Sequence, residues 1–458
     1  MSFVVYDLSF LIIFSIIVAI ILVLHRKRIK REGVFLLYRT SWGIKLIDYI
    51  AGKNKKFLNA FEWIVIVSGY ILMIAGIYSF GQFIYIFLSN PEFVKLIKIP
   101  PIAPLIPYLP QLFKADYLPF FYFTYWIIVL AITAVVHEFF HGIFAKARDI
   151  KIKSTGFAFV GPFFGAFVEP DENKIKRMAK KPQIAFLSAG SFSNLLLGII
   201  FFFVLMGFFF LTYTPSGVLF KDYSKSVINV SEITILNESL WNFTKIGYNG
   251  KNYYISSEAI KENYSLIYAY DDSPAFRVGL LGAIVEIDGK SIRTNSDLSN
   301  ALGSYKPEDK IKIKTEQNNQ ISDYSIVLGN NPFNETRAYL GISQINMEVI
   351  NAQSSLFGKI KNKLVFFKDP NTYYKPKMFE ELTIFSYNLI WWIVLVNFGV
   401  ALFNMLPLGV ADGGRVFYLT MLGIFRSEKI AKYLYKFMTY LILLSFIAIT
   451  IFWFFNFR

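Results

Sequence analysis

The run Trp126-Ile127-Ile128-Val129-Leu130-Ala131-Ile132-Thr133-Ala134-Val135-Val136-His137-Glu138-Phe139-Phe140-His141 carries two of the chain's three histidines. It is apolar up to His137 and then reads His-Glu-x-x-His. On a helix, residues four apart share a face, so both imidazoles reach one ion. Glu138 follows His137 directly and can hold and deprotonate a water on that ion. No other Asp, Glu, Lys or Arg lies between residues 118 and 145. An acid at the centre of a span costs about 3 kcal/mol, and such residues usually serve function. A divalent ion offsets that cost. The chain has no cysteine, which excludes a thiolate metal site, a cysteine nucleophile and a disulfide framework. Nitrogen and oxygen donors fit zinc best, and cobalt or iron also suit them. The structural alternative is a hydrogen-bonded histidine pair that packs helices together.

Two imidazoles leave a zinc hydrolase one protein ligand short. His25 lies on the wrong side of the hydropathy pattern. The stretch Asn404-Met405-Leu406-Pro407-Leu408-Gly409-Val410-Ala411-Asp412-Gly413-Gly414-Arg415 offers Asp412, the first acid after the 30 uncharged positions 382–411. Pro407 and Gly409 break a helix, and Gly413-Gly414 leaves room for close backbone approach. Read alone, Asp412 is also compatible with a helix-end turn.

The wider chain is a membrane protein. Of 458 residues, 55% are hydrophobic and only 17% charged, against about a quarter charged in soluble domains. Six stretches are long and apolar enough to span a bilayer, near 8–24, 63–88, 118–145, 184–213, 383–407 and 437–457. The first has its basic cluster after the apolar run, unlike a cleaved signal peptide, and reads as a retained anchor. Residues 25–61, 146–183 and 414–436 hold 10, 9 and 5 Lys or Arg, whereas 1–7 and 89–117 hold none and 3. This alternation predicts six spans with both termini outside. It places His-Glu-x-x-His and Asp412 near the inner ends of two spans that run in the same direction. The net charge of +15 is then mostly positive-inside charge, and no nucleic-acid partner is expected.

Residues 214–381 form the one long polar stretch, predicted outside. Five N-x-S/T sequons, starting at Asn229, Asn237, Asn242, Asn263 and Asn334, all fall within it. Sequons belong on extracytoplasmic surfaces, though an Asn- and Ser-rich loop also produces them by chance. Ser273-Pro274-Ala275-Phe276-Arg277-Val278-Gly279-Leu280-Leu281-Gly282 leads into an alternating strand, Ala283 to Ile287, with Asp288-Gly289 as a hairpin turn. A short helix is expected over Ser296-Asp297-Leu298 to Leu302, and strands over 310–314 and 324–328. In this order of elements, 263–345 resembles a PDZ domain of the protease-associated kind. Such domains take a peptide as an added strand, so a peptide or a trimmed substrate end is the implied partner. The alternative is a β-rich spacer without a ligand. Residues Phe357 to Leu382 are expected near the membrane surface.

Taken together, these residues resemble the site-2 protease family of intramembrane metalloproteases. The His-Glu-x-x-His helix and the N-x-x-P-x-x-x-x-D-G of Asn404 to Gly413 match its paired signatures. Gly165-Ala166-Phe167-Val168 lies in an uncharged stretch, 154–168, too short to span, where the family has β-structure dipping into the membrane. Gly190-Ser191-Phe192-Ser193-Asn194 is similar to its G-x-x-x-N motif. One departure is Ala411, where Leu more often precedes Asp-Gly; the acid is intact. The resemblance covers roughly 118–213 and 383–425.

It implies one zinc per chain held by His137, His141 and Asp412, with Glu138 as the catalytic base. Asn194 would position the scissile backbone or stabilise the oxyanion. The 155–168 stretch would hold an unwound substrate by edge pairing, with Gly161-Pro162 as its turn. The substrate would be a membrane-anchored regulatory protein, already trimmed by another protease. The expected architecture is a membrane α-helical bundle with a membrane-associated β-stretch and an inserted extracytoplasmic α+β PDZ domain. Its divisions are 1–117 (first two spans), 118–213 (first half of the catalytic core), 214–262 (polar segment), 263–345 (PDZ), 346–382 (membrane-proximal linker) and 383–458 (second half of the core and last span). The protein is expected in the cell membrane, multi-pass, with the active site toward the cytoplasmic face. Two other readings fit fewer features: a catalytically silent peptide-binding scaffold, and a metal or proton transporter.

Overall fold

The computed structural model describes residues 3–89, 100, 105–115, 118–160, 163–256, 266–332, 334–345 and 367–456. The chain divides into two units, residues 1–207 with 384–458, and residues 208–383.

Among the described residues, six helices are long and apolar enough to cross a membrane. They are α1 (Phe3–Leu24), α3 (Lys55–Ser89), α4 (Phe123–Ala147), α5 (Lys180–Thr212), α7 (Glu380–Asn404) and α9 (Glu428–Asn456). Two of them begin well before the apolar stretches read from the sequence. The first turns of α3 and α9 are polar or amphipathic, so hydropathy alone does not register them as helix. A shorter helix, α8 (Asp412–Phe425), follows α7 after a break at 405–411.

Residues between the first two spans form more than a basic loop. β1 (Ile29–Glu32) and β2 (Phe35–Thr40) make a hairpin that joins β3 (Ile152–Val160) and β4 (Phe163–Pro170) in one antiparallel sheet, ordered β1-β2-β3-β4. The expected strand character of 154–168 is present as β3 and β4. The Gly161-Pro162 turn lies outside the described residues. Pairing of β2 with β3 joins segments more than 110 positions apart, from Thr40↔Thr155 to Leu36↔Phe159, which no local pattern encodes. The chain leaves β2 through α2 (Ile44–Lys53), an amphipathic helix with Ile47 and Ala51 buried. Ile47 lies against Gly142 of α4, where a Cβ would crowd it. One apolar core gathers Ile47, Ile66, Phe144, Leu187, Met405 and Val416. A second, around Trp126, Val129 and Trp392, joins α4 to α7.

The second unit is rich in β-structure. One sheet runs β7 (Lys225–Asn229), β11 (Leu266–Asp271), β10 (Lys251–Ser256), β9 (Phe243–Tyr248) and β8 (Thr234–Leu240). Thus β11, near the start of the PDZ-like 263–345 stretch, pairs with strands from the polar segment before it. Another sheet runs β15 (Gln320–Val327), β14 (Lys310–Gln317), β12 (Ala283–Ile287), β5 (Tyr213–Val218) and β19 (Thr372–Pro376). Both Asp288 and Gly289 have positive φ, as a two-residue hairpin turn of this twist requires. The helix α6 (Asn295–Gly303) starts with a capping box of Thr294 and Asp297. Phe276 fills the space beside Tyr223, Trp241, Phe243, Tyr254 and Tyr270. Of the 346–382 linker, residues 346–366 lie outside the described residues, and β19 pairs with β5. Among the sequons, Asn263 is outside the described residues, and the other four lie in this unit.

Candidate metal centre

His137 and His141 sit one turn apart on α4, both buried. Their Nε2 atoms are 3.1 Å apart. Asp412 approaches from the start of α8, its Oδ2 lying 3.5 Å from His137 Nε2 and 3.3 Å from His141 Nε2. Three candidate ligand atoms from two elements, with Asp412 standing 271 positions after His141, therefore converge within 4.8 Å of one another.

Backbone geometry explains how Asp412 arrives there. After α7 the chain breaks at Pro407 and restarts as α8 with Ala411 as N-cap. Cβ atoms on Gly413 and Gly414 would run into the carbonyl groups of Met405 and Leu408. Only glycine lets α8 start this close to the preceding turn. Asp412 in the first turn also faces the positive end of the helix dipole.

The helix α5 forms the other side of the centre, through residues four apart. His141 Nδ1 is 2.7 Å from the Phe186 carbonyl oxygen, so Nδ1 carries the proton and Nε2 keeps its lone pair. Gly190 faces both rings, and a Cβ there would overlap His137 and His141. Asn194, fully buried, places its amide nitrogen 3.1 Å from His137 Nδ1. In this orientation the amide oxygen is buried without a partner. A half-turn of the amide lets that oxygen accept the His137 Nδ1 proton. It removes the orphan and frees Nε2 of His137. Two imidazole nitrogens and a carboxylate oxygen, with both rings fixed from behind, suit a zinc ion.

Glu138, next to His137, reaches the sheet. Its Oε2 accepts the Val168 N–H of β4 at 3.0 Å, and it lines a cavity of about 600 Å³ between α4, the sheet and the β2–α2 corner. An outward-facing N–H at Val168 means that this edge of β4 is open toward Glu138, and the same direction recurs at alternate residues.

The structure thus brings His137, His141, Asp412 and Asn194 together and sets Glu138 at the cavity beside them. Two further supports were not read from the sequence. Asn397 of α7 donates to Thr133 Oγ1 at 3.1 Å, one turn before His137, and both residues are buried. Asp7 of α1 accepts the backbone N–H groups of Phe123 (2.7 Å) and Thr124 (2.8 Å), capping the first turn of α4 from another helix. The available signal was an acid or amide within or beside each apolar stretch.

An uncharacterized protein of Methanocaldococcus jannaschii is 27% identical over 413 residues, covering 89% of this chain and 84% of that protein. The model of peptidase family M50 matches residues 125–445, which contain His137, His141, Asp412 and Asn194. With most of its length matched and a site fit for a metallopeptidase, the chain belongs to peptidase family M50, the site-2 protease family.

Proposed function

We propose that this protein is a zinc metalloendopeptidase that cuts peptide bonds in or near transmembrane segments of membrane-anchored regulatory proteins. The observation that carries this reading is the meeting of His137, His141 and Asp412 beside the cavity-facing carboxylate of Glu138. These three residues would hold one zinc. Bound zinc supplies Lewis acidity that makes water nucleophilic near neutral pH and polarises the scissile carbonyl. Glu138 takes the proton of the attacking water and delivers it to the leaving amine. The Val168 N–H orients that carboxylate. Asn194 acts as a positioning residue that holds the His137 ring. A substrate helix hides its carbonyls in hydrogen bonds and has to unwind before attack. The open edge of β4 offers an unwound strand the backbone partners it has lost.

The residue 263–345 region acts as a PDZ domain that takes a peptide or trimmed substrate end. The termini and this region are extracytoplasmic, with the metal centre toward the cytoplasmic face of the cell membrane. The Lys and Arg asymmetry of the loops supports this orientation. The cysteine-free chain lends itself to a check by impermeant thiol labelling in intact cells: Asn319→Cys should react and Asn54→Cys should not. The reverse pattern would overturn the topology.

Glu138→Gln is the decisive variant for activity. With purified protein and a transmembrane peptide, cleavage should fall about 10²- to 10⁴-fold while zinc content is unchanged. A peptide-binding scaffold would bind its ligand equally well with either residue. A transporter would move metal or protons in liposomes and cut nothing.

A further inference from the structure

The cavity beside Glu138 extends well beyond what water activation needs. Its volume, about 600 Å³, falls within the range of ligand pockets. Trp42 and Leu46 form one wall, Val135 and Phe139 another, and Ala166 and Phe167 the sheet side. Gly156 adds a hollow in the floor. A Cβ there would collide with the Tyr38 carbonyl, so β2 and β3 can approach only over glycine. Two hydroxyl groups at the corner are already engaged. Thr40 Oγ1 accepts the Trp42 N–H at 2.7 Å, and the Thr155 hydroxyl donates to the Trp42 carbonyl. Among the described residues of the lining, Glu138 is the only carboxylate, and no Lys, Arg or His joins it.

We propose that this cavity is a specificity pocket for the substrate residue next to the scissile bond, selecting a large uncharged apolar side chain such as Leu, Met or Phe. The inference rests on the protease reading above. The pocket is adjacent to the cut because one side chain, Glu138, serves both. A charged side chain would lose its hydration here and find no separate partner. An acid would face Glu138 with like charge, and a lysine would pair with Glu138 and occupy the base. An alanine would leave most of the space unfilled.

The test uses full-length protein in liposomes with zinc. The substrates are transmembrane peptides that differ only at one position, scanned across the three residues on each side of the cut. At one position the wild type should cleave Leu or Phe at least about tenfold faster than Ala, Asp or Lys. Ala166→Phe, which fills the pocket, should turn that preference toward Ala. Leu46→Ala, on the exposed side of α2, should widen it toward Trp. An unchanged ranking at every position in both variants would overturn the proposal. A second readout does not require cleavage. Photoreactive p-benzoylphenylalanine in place of Leu46, in the Glu138→Gln background, should cross-link to that same substrate residue. Cleavage by the wild type without this adduct would overturn the pocket and leave the protease reading standing. The adduct without cleavage by the wild type would overturn the protease reading, and with it the pocket's place beside a scissile bond.

Discussion

The two units bury their apolar residues in opposite directions. On α1, Ile12 and Ile13 are 60% and 56% exposed, and the helix buries only Asp7 and Val18. In the second unit, Ile284, Ile311 and Ile313 are fully buried, and the polar residues between them on β14 face out. The membrane unit exposes isoleucine along α1 and buries four acids and amides within its helices. Asp7, Glu62, Asn194 and Asn397 are all buried there. Backbone satisfaction is already internal to each helix, so these polar side chains are free to specify helix contacts and build the site. Glu62 shows the cost of such placement, since it is buried and held by an ion pair with Arg148 at the end of α4. In the second unit, water drives the apolar side chains inward, and backbone pairing defines the sheets.

This contrast can be broken or sharpened by mutation. The largest effect belongs to the membrane unit's interior: Asp412→Ala should abolish zinc retention and cleavage, read by metal content and peptide hydrolysis. Retained stoichiometric zinc would mean that the two helices do not share an ion. Next comes Ile313→Ala, which removes a buried side chain from β14 and should destabilise the second unit by about 2–5 kcal/mol. Pulse proteolysis of the full chain in detergent, with cleavage mapped to residues 208–383, measures it. Asn194→Ala should weaken zinc binding by about 10- to 100-fold in chelator competition. Asn194→Asp, which keeps an acceptor for the His137 Nδ1 proton, should retain most of the affinity, and equal loss in both would break the tautomer argument. Smallest is Ile13→Ala, on the lipid-facing side of α1. The same chemical change as at Ile313 should shift stability by no more than about 0.5 kcal/mol. A cost equal to that of Ile313→Ala would erase the contrast.

Legibility followed the range of the interactions. His137 and His141 stand four apart, and helical period alone puts them on one face. Hairpin chemistry at Asp288-Gly289 and the alternation of 310–314 are equally local. The β1–β2 hairpin was hidden because its residues carry the basic cluster that marks an inner loop, and its partner strands come more than 100 residues later. Asp7 was hidden for a similar reason. A cap supplied from another helix leaves no mark in the sequence around Phe123, where Tyr122 makes no side-chain cap. Helix starts at Lys55 and Glu428 escaped because polar first turns carry no hydropathy signal.

The sequence by itself determined the spans, the metal-binding pair and the acid available to complete it. Each of these rests on short-range periodicity or on the cost of placing a charge in lipid, and both act residue by residue. Tertiary structure alone decided that Asp412 meets both imidazoles, that Asn194 stands behind His137, and that Glu138 opens onto a cavity walled by α2. Those facts depend on helix packing and on backbone approaches that only Gly190, Gly413 and Gly414 permit. Such approaches are set by volumes meeting in space, between residues whose distance along the chain says nothing of their contact.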